Sequence, residues 1–210
     1  MTCLLTANIG SIDPIQGMPR QTVDCDFKYY NDSNLPYPMP NLDNRLKSKY
    51  IKMQSHKFLS SDSIVWIDGR VKIISKSFVE AFTEPLNDHD VVIFKHPERI
   101  TIGEEMEYII GNMNKGNHYL LSRYGNQQME KEYELYKSSG AADLSLYACT
   151  IFARNVNEKT NAVFNDWWEK CLQYSYFDQT MFSFVSQSLK IKVLDMKEWV
   201  KQVRINKHLV

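Results

Sequence analysis

The sequence predicts a three-layer α/β domain with a mainly parallel central sheet, on three observations. Strand and helix patterns alternate along the chain, the signature of βα units. Ile64-Val65-Trp66-Ile67 and Val91-Val92-Ile93-Phe94 are unbroken apolar runs, as strands buried on both faces require. The first of these runs stops at Asp68-Gly69, and in open α/β sheets ligands sit outside the carboxyl ends of the strands. In order, residues 3–9 read as a short strand entering a loop with Gly10, Pro14, Gly17 and Pro19. Residues 27–30 read as a second strand, closed by Asn31-Asp32-Ser33-Asn34. The Pro-rich stretch 35–40 is extended loop. Residues 42–58 have helical spacing and feed the strand at 64–67. A short helix at 76–82, a buried strand at 90–94 and a helix at 100–113 follow. A longer, charge-laced helix spans 118–138. The chain then reads as a strand (145–154), two helices (158–174 and 178–187) and a last strand (191–194). No repeat, low-complexity tract or linker divides it, so one domain is expected over residues 1–210.

The 210 residues suffice for a well-buried core, and 43% hydrophobic with 24% charged residues is ordinary globular composition. Lys plus Arg equals Asp plus Glu at 25 each, so no overall basic field draws in nucleic acid. Any anionic ligand must be held by a local cluster. The four cysteines are scattered without C-x-x-C spacing, which argues against a zinc site or disulfide framework and fits a reducing cytosol. The first residues lack a basic segment followed by a long apolar one, and no apolar run approaches a membrane span. A cytoplasmic, soluble protein is the expectation.

Four places hold candidate site residues. Asp68 puts a charge at the lip of the expected crevice, and Gly69 permits close approach there; a simple hairpin turn is the alternative reading. Arg45, Lys49, Lys52 and His56 step by four, three and four along one helix face, with no acid between them. Their mutual repulsion would be relieved by a bound anion such as phosphate, although a solvated face has the same pattern. His96, Arg99, Glu104 and Glu105 follow the strand at 90–94, where they either orient a polyhydroxyl ligand or open a helix with first-turn acids. Asp178 stands where a helix N-cap belongs.

Taken in order, Asn8-Ile9-Gly10, Arg45…Lys49…Lys52…His56, Trp66-Ile67-Asp68-Gly69, His96-Pro97-x-Arg99 with Glu105, Trp167-Trp168-Glu169 and Asp178-Gln179 resemble a known family. It is the glycosyltransferase-like domain of plant mucilage-related proteins and their bacterial and viral relatives, over about residues 3–208. That family is similar to the GT-A nucleotide-sugar transferases, in which an acid-x-acid motif at a strand end holds a divalent metal on the donor diphosphate. The resemblance implies a GT-A-like, Rossmann-like fold in which Asp68 is the first acid of that motif, serving Mn²⁺ or Mg²⁺. Thr6, Ala7 and Asn8 would cradle the base and ribose, and Arg45, Lys49 and Lys52 would reach the diphosphate, with His96 and Arg99 as further donor contacts. Asp178 and Gln179 would lie beside the transferred sugar, and His208 would be a late metal or phosphate ligand. Two positions depart from the pattern: Arg70 replaces the second acid, and Phe177 replaces the usual Arg before Asp-Gln.

Glycosyl transfer builds negative charge on the departing diphosphate. Lys49, Lys52, Arg70, His208 or a metal would supply the opposing charge. Asp178 would supply the carboxylate, with Glu105, Glu104 and Asp143 in reserve. The expected activity is a hexosyl- or pentosyltransferase using a nucleotide-diphosphate sugar, UDP-linked first. Its acceptor would be a hydroxyl on a glycan or surface-polysaccharide precursor, or on a hydroxylated base of viral DNA. A silent nucleotide-sugar or glycan-binding module, and a hydrolase, are the alternatives.

Overall fold

The computed structural model describes residues 1–14 and 17–206. Its strands are β1 (Thr2–Ala7), β2 (Cys25–Tyr30), β3 (Ser63–Ile67), β4 (Val71–Ile73), β5 (Val91–Lys95), β6 (Tyr147–Asn155), β7 (Ile191–Leu194) and β8 (Val203–Ile205). Its helices are α1 (Asn44–Met53), α2 (Phe78–Thr83), α3 (Ile102–Asn114), α4 (His118–Tyr124), α5 (Met129–Ser138), α6 (Glu158–Gln173), α7 (Asp178–Val185) and α8 (Met196–Gln202). Six strands form the central sheet in the order β2-β1-β3-β6-β5-β7, and β4 pairs with β8 in a two-stranded ribbon. β6 runs antiparallel to both neighbours, while β1–β2, β1–β3 and β5–β7 are parallel. The expected three-layer α/β fold is observed.

Alternation along the strands builds the two outer layers. Leu5, Ile64, Trp66, Ile93 and Phe152 face one side, where they pack on Ile51 of α1, Met106 of α3, Phe164 and Trp167 of α6, and Phe182 of α7. Leu4, Val65, Ile67, Val92 and Ile151 face the other, against Phe78, Val79 and Phe82 of α2. A side-chain period of two thus sorts a continuous apolar run between two cores. Asp43 caps α1 by accepting from the Leu46 N–H, Thr101 with Glu104 makes a capping box on α3, and Asn157 with Thr160 makes another on α6.

Several expected elements differ. The helix at 42–58 ends at Met53, and a tight single turn, Ser55–Lys57, carries His56 off the basic face. His56 instead lies 3.2 Å from Asn165 Oδ1 and 3.2 Å from a nitrogen of Arg154, which is fully buried. Burial, then Arg154, lower its imidazole to about 4, so at neutral pH it adds no charge to the helix. The helix at 118–138 breaks into α4 and α5 around Gly125. There the Gln128 N–H donates to the Tyr174 carbonyl, and Gln127 Oε1 accepts from the Tyr176 N–H. The break thereby braces the loop that leads into α7. β4, α8 and β8 are too short, at three to seven residues, to leave a pattern. Because β4 pairs with β8, Asp68-Gly69 is no hairpin between β3 and β4. Among the described residues no helix is long and apolar enough to cross a membrane.

Candidate active site

The chain reverses its direction across the sheet between β1 and β3, since β2 lies outside β1 on one side and β3 on the other. Such a switch point opens a crevice at the carboxyl ends of the two strands. Gly69 sits in it so closely that a Cβ there would meet Asp13 Oδ2 at 2.8 Å and the Ala7 carbonyl oxygen at 3.0 Å. Any larger residue would push the β3 exit away from β1.

Trp66 and Asp68 are two residues apart and share the face covered by α1. The Trp66 indole N–H donates to Asp68 Oδ1 at 2.8 Å. Lys49 and Lys52, one turn apart on α1, both descend onto this face. Lys52 Nζ lies 2.8 Å from Asp178 Oδ2 and 3.6 Å from Asp68 Oδ1; Lys49 Nζ lies 3.0 Å from Asp178 Oδ2. Side-chain exposure rises from 6% at Lys52 through 14% at Asp178 to 35% at Asp68, so the cluster runs from a dry floor to a wet lip. The Lys52 ammonium is also 5.7 and 5.8 Å from the ring centroids of Trp66 and Trp167, near enough for cation–π attraction. The Trp167 indole N–H donates to the Asp178 carbonyl at 2.9 Å, which pins the start of α7.

Asp178 is not the cap of α7. Phe177 holds that position without a side-chain bond, and Asp178 is the first helical residue, its carboxylate turned to the two lysines. Burial alone would raise this carboxyl, but Lys49 and then Lys52 outweigh it and hold it well below the usual carboxylate range. Burial would likewise lower the Lys52 ammonium, and Asp178 and Asp68 reverse that to raise it. Asp178 and Lys52 are therefore both ionised at neutral pH. A carboxylate this acidic is a weak general base; its use is as a fixed negative charge. The repulsion along α1 finds its counter-ions inside the chain.

No protein-family model matches the sequence, and no curated protein does. Solved structures similar in outline include several glycosyltransferases and a 4-diphosphocytidyl-2C-methyl-D-erythritol synthase. They include an apo structure of the bifunctional enzyme WbbM, at 14% identity and TM-score 0.47 over 82% of this chain and 29% of that one. Mouse xyloside xylosyltransferase 1, also apo, matches at 9% identity and TM-score 0.44 over 82% and 63%. The galactosyltransferase LgtC, with donor and acceptor sugar analogues, matches at 10% identity and TM-score 0.43 over 82% and 54%. The chain thus spans between 29% and 63% of these proteins. Likenesses this loose carry no chemistry across, and the function must be argued from the site itself.

The remaining expected residues fall into separate groups. Asn8 is buried and occupied: its side chain donates to the Asp13 carbonyl at 2.7 Å and to the Tyr29 hydroxyl at 3.2 Å, and accepts from the Asp13 N–H. It shapes the loop beside Gly69. Ala7 supplies the carbonyl that packs on Gly69, and Thr6 lines a small apolar crevice with Met18, Phe27, Tyr29 and Ile67 on the opposite face of the sheet. Arg45 donates to the Arg123 carbonyl at 3.0 Å, at the edge of the lysine cluster. Gln179 follows Asp178 on α7, half-buried. Arg70 is half-buried beyond Asp68, and its carbonyl accepts from the Asn206 N–H. His96, Arg99 and Glu105 form a bracket of their own at the end of β5. His96 Nδ1 accepts from the Glu98 and Arg99 amides, and burial, then Arg99, lower its imidazole. Arg99 is ion-paired to the buried Glu105 and lies 4.1 Å over the Tyr108 ring. The structure thus commits Glu105 to Arg99 rather than to the Asp178 cluster. His208 lies outside the described residues.

The sequence reading missed Asp13, Arg123 and Tyr124. Asp13 reaches the crevice only through the fold of a loop, and Tyr124 is a buried residue of α4 close enough to feel the Asp178 charge. None of the three had a motif to announce it.

Glu132 was missed as well, and it underlies α7. It is fully buried on α5, where one oxygen accepts from the Tyr136 hydroxyl at 2.6 Å and from Thr180 Oγ1, on the first turn of α7, at 2.9 Å. Burial, opposed by bonds from Ser175, Tyr136 and Thr180, raises its carboxyl from 4.5 to about 7. An acid raised in the folded state adds stability that is fully present below 4.5 and is lost as pH rises through about 7. The wild type should therefore lose about 3 kcal/mol across that interval from this group. Glu132→Gln should flatten that part of the curve in denaturant unfolding at successive pH values; an unchanged pH slope would remove Glu132 as its source.

Proposed function

We propose that this chain is a glycosyltransferase domain that moves a sugar from a nucleotide-diphosphate donor, UDP-linked first, to a hydroxyl acceptor. The observation that carries the reading is the Lys49–Lys52–Asp178–Asp68 cluster, set at the switch point of an α/β sheet and graded from dry to wet. Departure of a diphosphate needs positive charge fixed in advance, and an oxocarbenium-like sugar needs negative charge close by. The two lysines offer the first and Asp178 the second, within 3.0 Å of each other. Asp68 at the lip accepts from ribose or sugar hydroxyls, and Gln179 orients the transferred sugar. The acceptor is a hydroxyl on a glycan, a polysaccharide precursor or a hydroxylated nucleobase, in a cytoplasmic setting. A screen of UDP-, GDP- and CMP-sugars by thermal shift, followed by transfer or donor hydrolysis, tests the reading; a shifted melting point with UDP-sugars and released UDP are the expected results.

Lys49→Ala should raise the donor KM more than that of the acceptor, since a charge-assisted bond to phosphate contributes about 1.5–3 kcal/mol. Lys52 still holds Asp178 in that variant, so the fold survives. Unchanged nucleotide affinity, by calorimetry, would make Lys49 a purely structural partner of Asp178.

A binding module without turnover is the second reading, favoured by an Asp178 carboxylate already engaged by two ammonium groups. It predicts the same shift in melting point with no UDP released.

A further inference from the structure

The family resemblance implies a divalent ion on the donor diphosphate, and the donor set of this site does not fit one. Mn²⁺ and Mg²⁺ take six hard oxygen ligands in near-octahedral geometry, with carboxylates as their usual protein anchors. Among the described residues no three His, Cys, Asp or Glu side chains come together as a metal site would need. Asp68 is the carboxylate at the lip, and its Oδ1 already accepts from the Trp66 indole and faces the Lys52 ammonium at 3.6 Å. Two residues on in the sequence, where the family has a second acid, this chain has Arg70. Asp178 is taken by two ammonium groups at 2.8 and 3.0 Å. A divalent cation entering here would meet the Lys49 and Lys52 ammonium groups, with the partly engaged Asp68 and the Asp13 carboxylate beside Gly69 as its protein oxygens, fewer than the three acidic or His/Cys side chains of a built site.

The same groups are what a diphosphate requires. Lys52 is buried under two indoles and is not free to swing to solvent. Its charge is held in place beneath the crevice before any ligand arrives. An ammonium has three N–H donors, so Lys49 and Lys52 can each keep Asp178 and still present a hydrogen to an incoming phosphate oxygen. Arg70, beyond the lip, has no hydrogen bond or ion pair to its guanidinium among the described residues, and a guanidinium grips phosphate oxygens in pairs.

We infer that the cationic charge for the diphosphate is built into this chain, as Lys49, Lys52 and Arg70, and that the site takes a nucleoside diphosphate without a divalent metal. The inference rests on the transferase reading above and states how that same site holds its donor.

Two measurements on the full chain separate the inference from the reading beneath it. In the first, Mn²⁺ is titrated with protein alone and the free-ion electron paramagnetic resonance signal is followed. The signal should stay undiminished at equimolar protein, and stoichiometric uptake would overturn the inference while leaving the transferase reading standing. In the second, UDP binding is measured by calorimetry with EDTA and again with excess Mn²⁺. The two dissociation constants should agree within about threefold, and Arg70→Met should weaken UDP binding in EDTA about tenfold or more. A tenfold loss of affinity in EDTA with the native chain, or an Arg70→Met variant with native affinity, would overturn it. Absence of UDP, GDP and CDP binding in both conditions would overturn the donor reading and the inference together.

Discussion

Replacing Asp178 with Ala should lower the unfolding free energy by about 3–5 kcal/mol and eliminate sugar transfer. Lys52 is 6% exposed and has Asp178 at 2.8 Å as its close partner, with Asp68 a further 0.8 Å away at 3.6 Å. Removing one member of a buried ion pair leaves the other charge desolvated, and that residual cost dominates the loss. The stability effect thus comes mostly from Lys52, and this gives the test its control. Asp178→Ala combined with Lys52→Met should recover most of the stability, because the more deeply buried of the two ammonium groups is no longer stranded and Lys49 is the more exposed one, and should recover none of the transfer. Denaturant unfolding of the single and double variants reads the first statement, and donor turnover reads the second. A single variant with native stability would mean that Lys52 escapes to solvent, and that the caged ammonium does not describe the protein.

Asp68→Asn should do the opposite: little change in stability and a fall of about 10–100-fold in kcat/KM. An Asn oxygen can still accept from the Trp66 indole, and Lys52 keeps its closer partner in Asp178. Asp68 is also 35% exposed, so solvent screens its attraction to Lys52 and the pair contributes at most about 1 kcal/mol. What the substitution removes is the charge at the lip, where a charge-assisted bond to a ligand hydroxyl contributes about 1.5–3 kcal/mol. Native turnover on a confirmed donor would take Asp68 out of the site.

The contrast between these two acids shows how far the chain can be read without its structure. Asp68 was legible because a strand buried on both faces leaves an unbroken apolar run, and the residue ending that run must lie at a sheet edge. Lys49 and Lys52 were legible as neighbours because three residues make nearly a helical turn. Asp178 carried no such mark. An Asp before an apolar helix is indistinguishable from a cap, and only the packing of α7 against α1 turned its carboxylate from its own backbone to two lysines 126 and 129 residues earlier. His56 failed for a related reason, since helical spacing predicts a shared face only while the helix continues, and α1 stops at Met53.

What the sequence determined by itself was local: the alternation of elements, the apolar runs that become two-faced strands, and the presence of charge at the end of β3. These follow from periodicity along the chain. The tertiary structure decided the pairings. It set β6 antiparallel between β3 and β5, joined β4 to β8, committed Glu105 to Arg99 and placed Lys52 between two acids. A charge seen in sequence has no partner until burial strips its water, and which opposite charge then stands nearest is settled by how the layers pack.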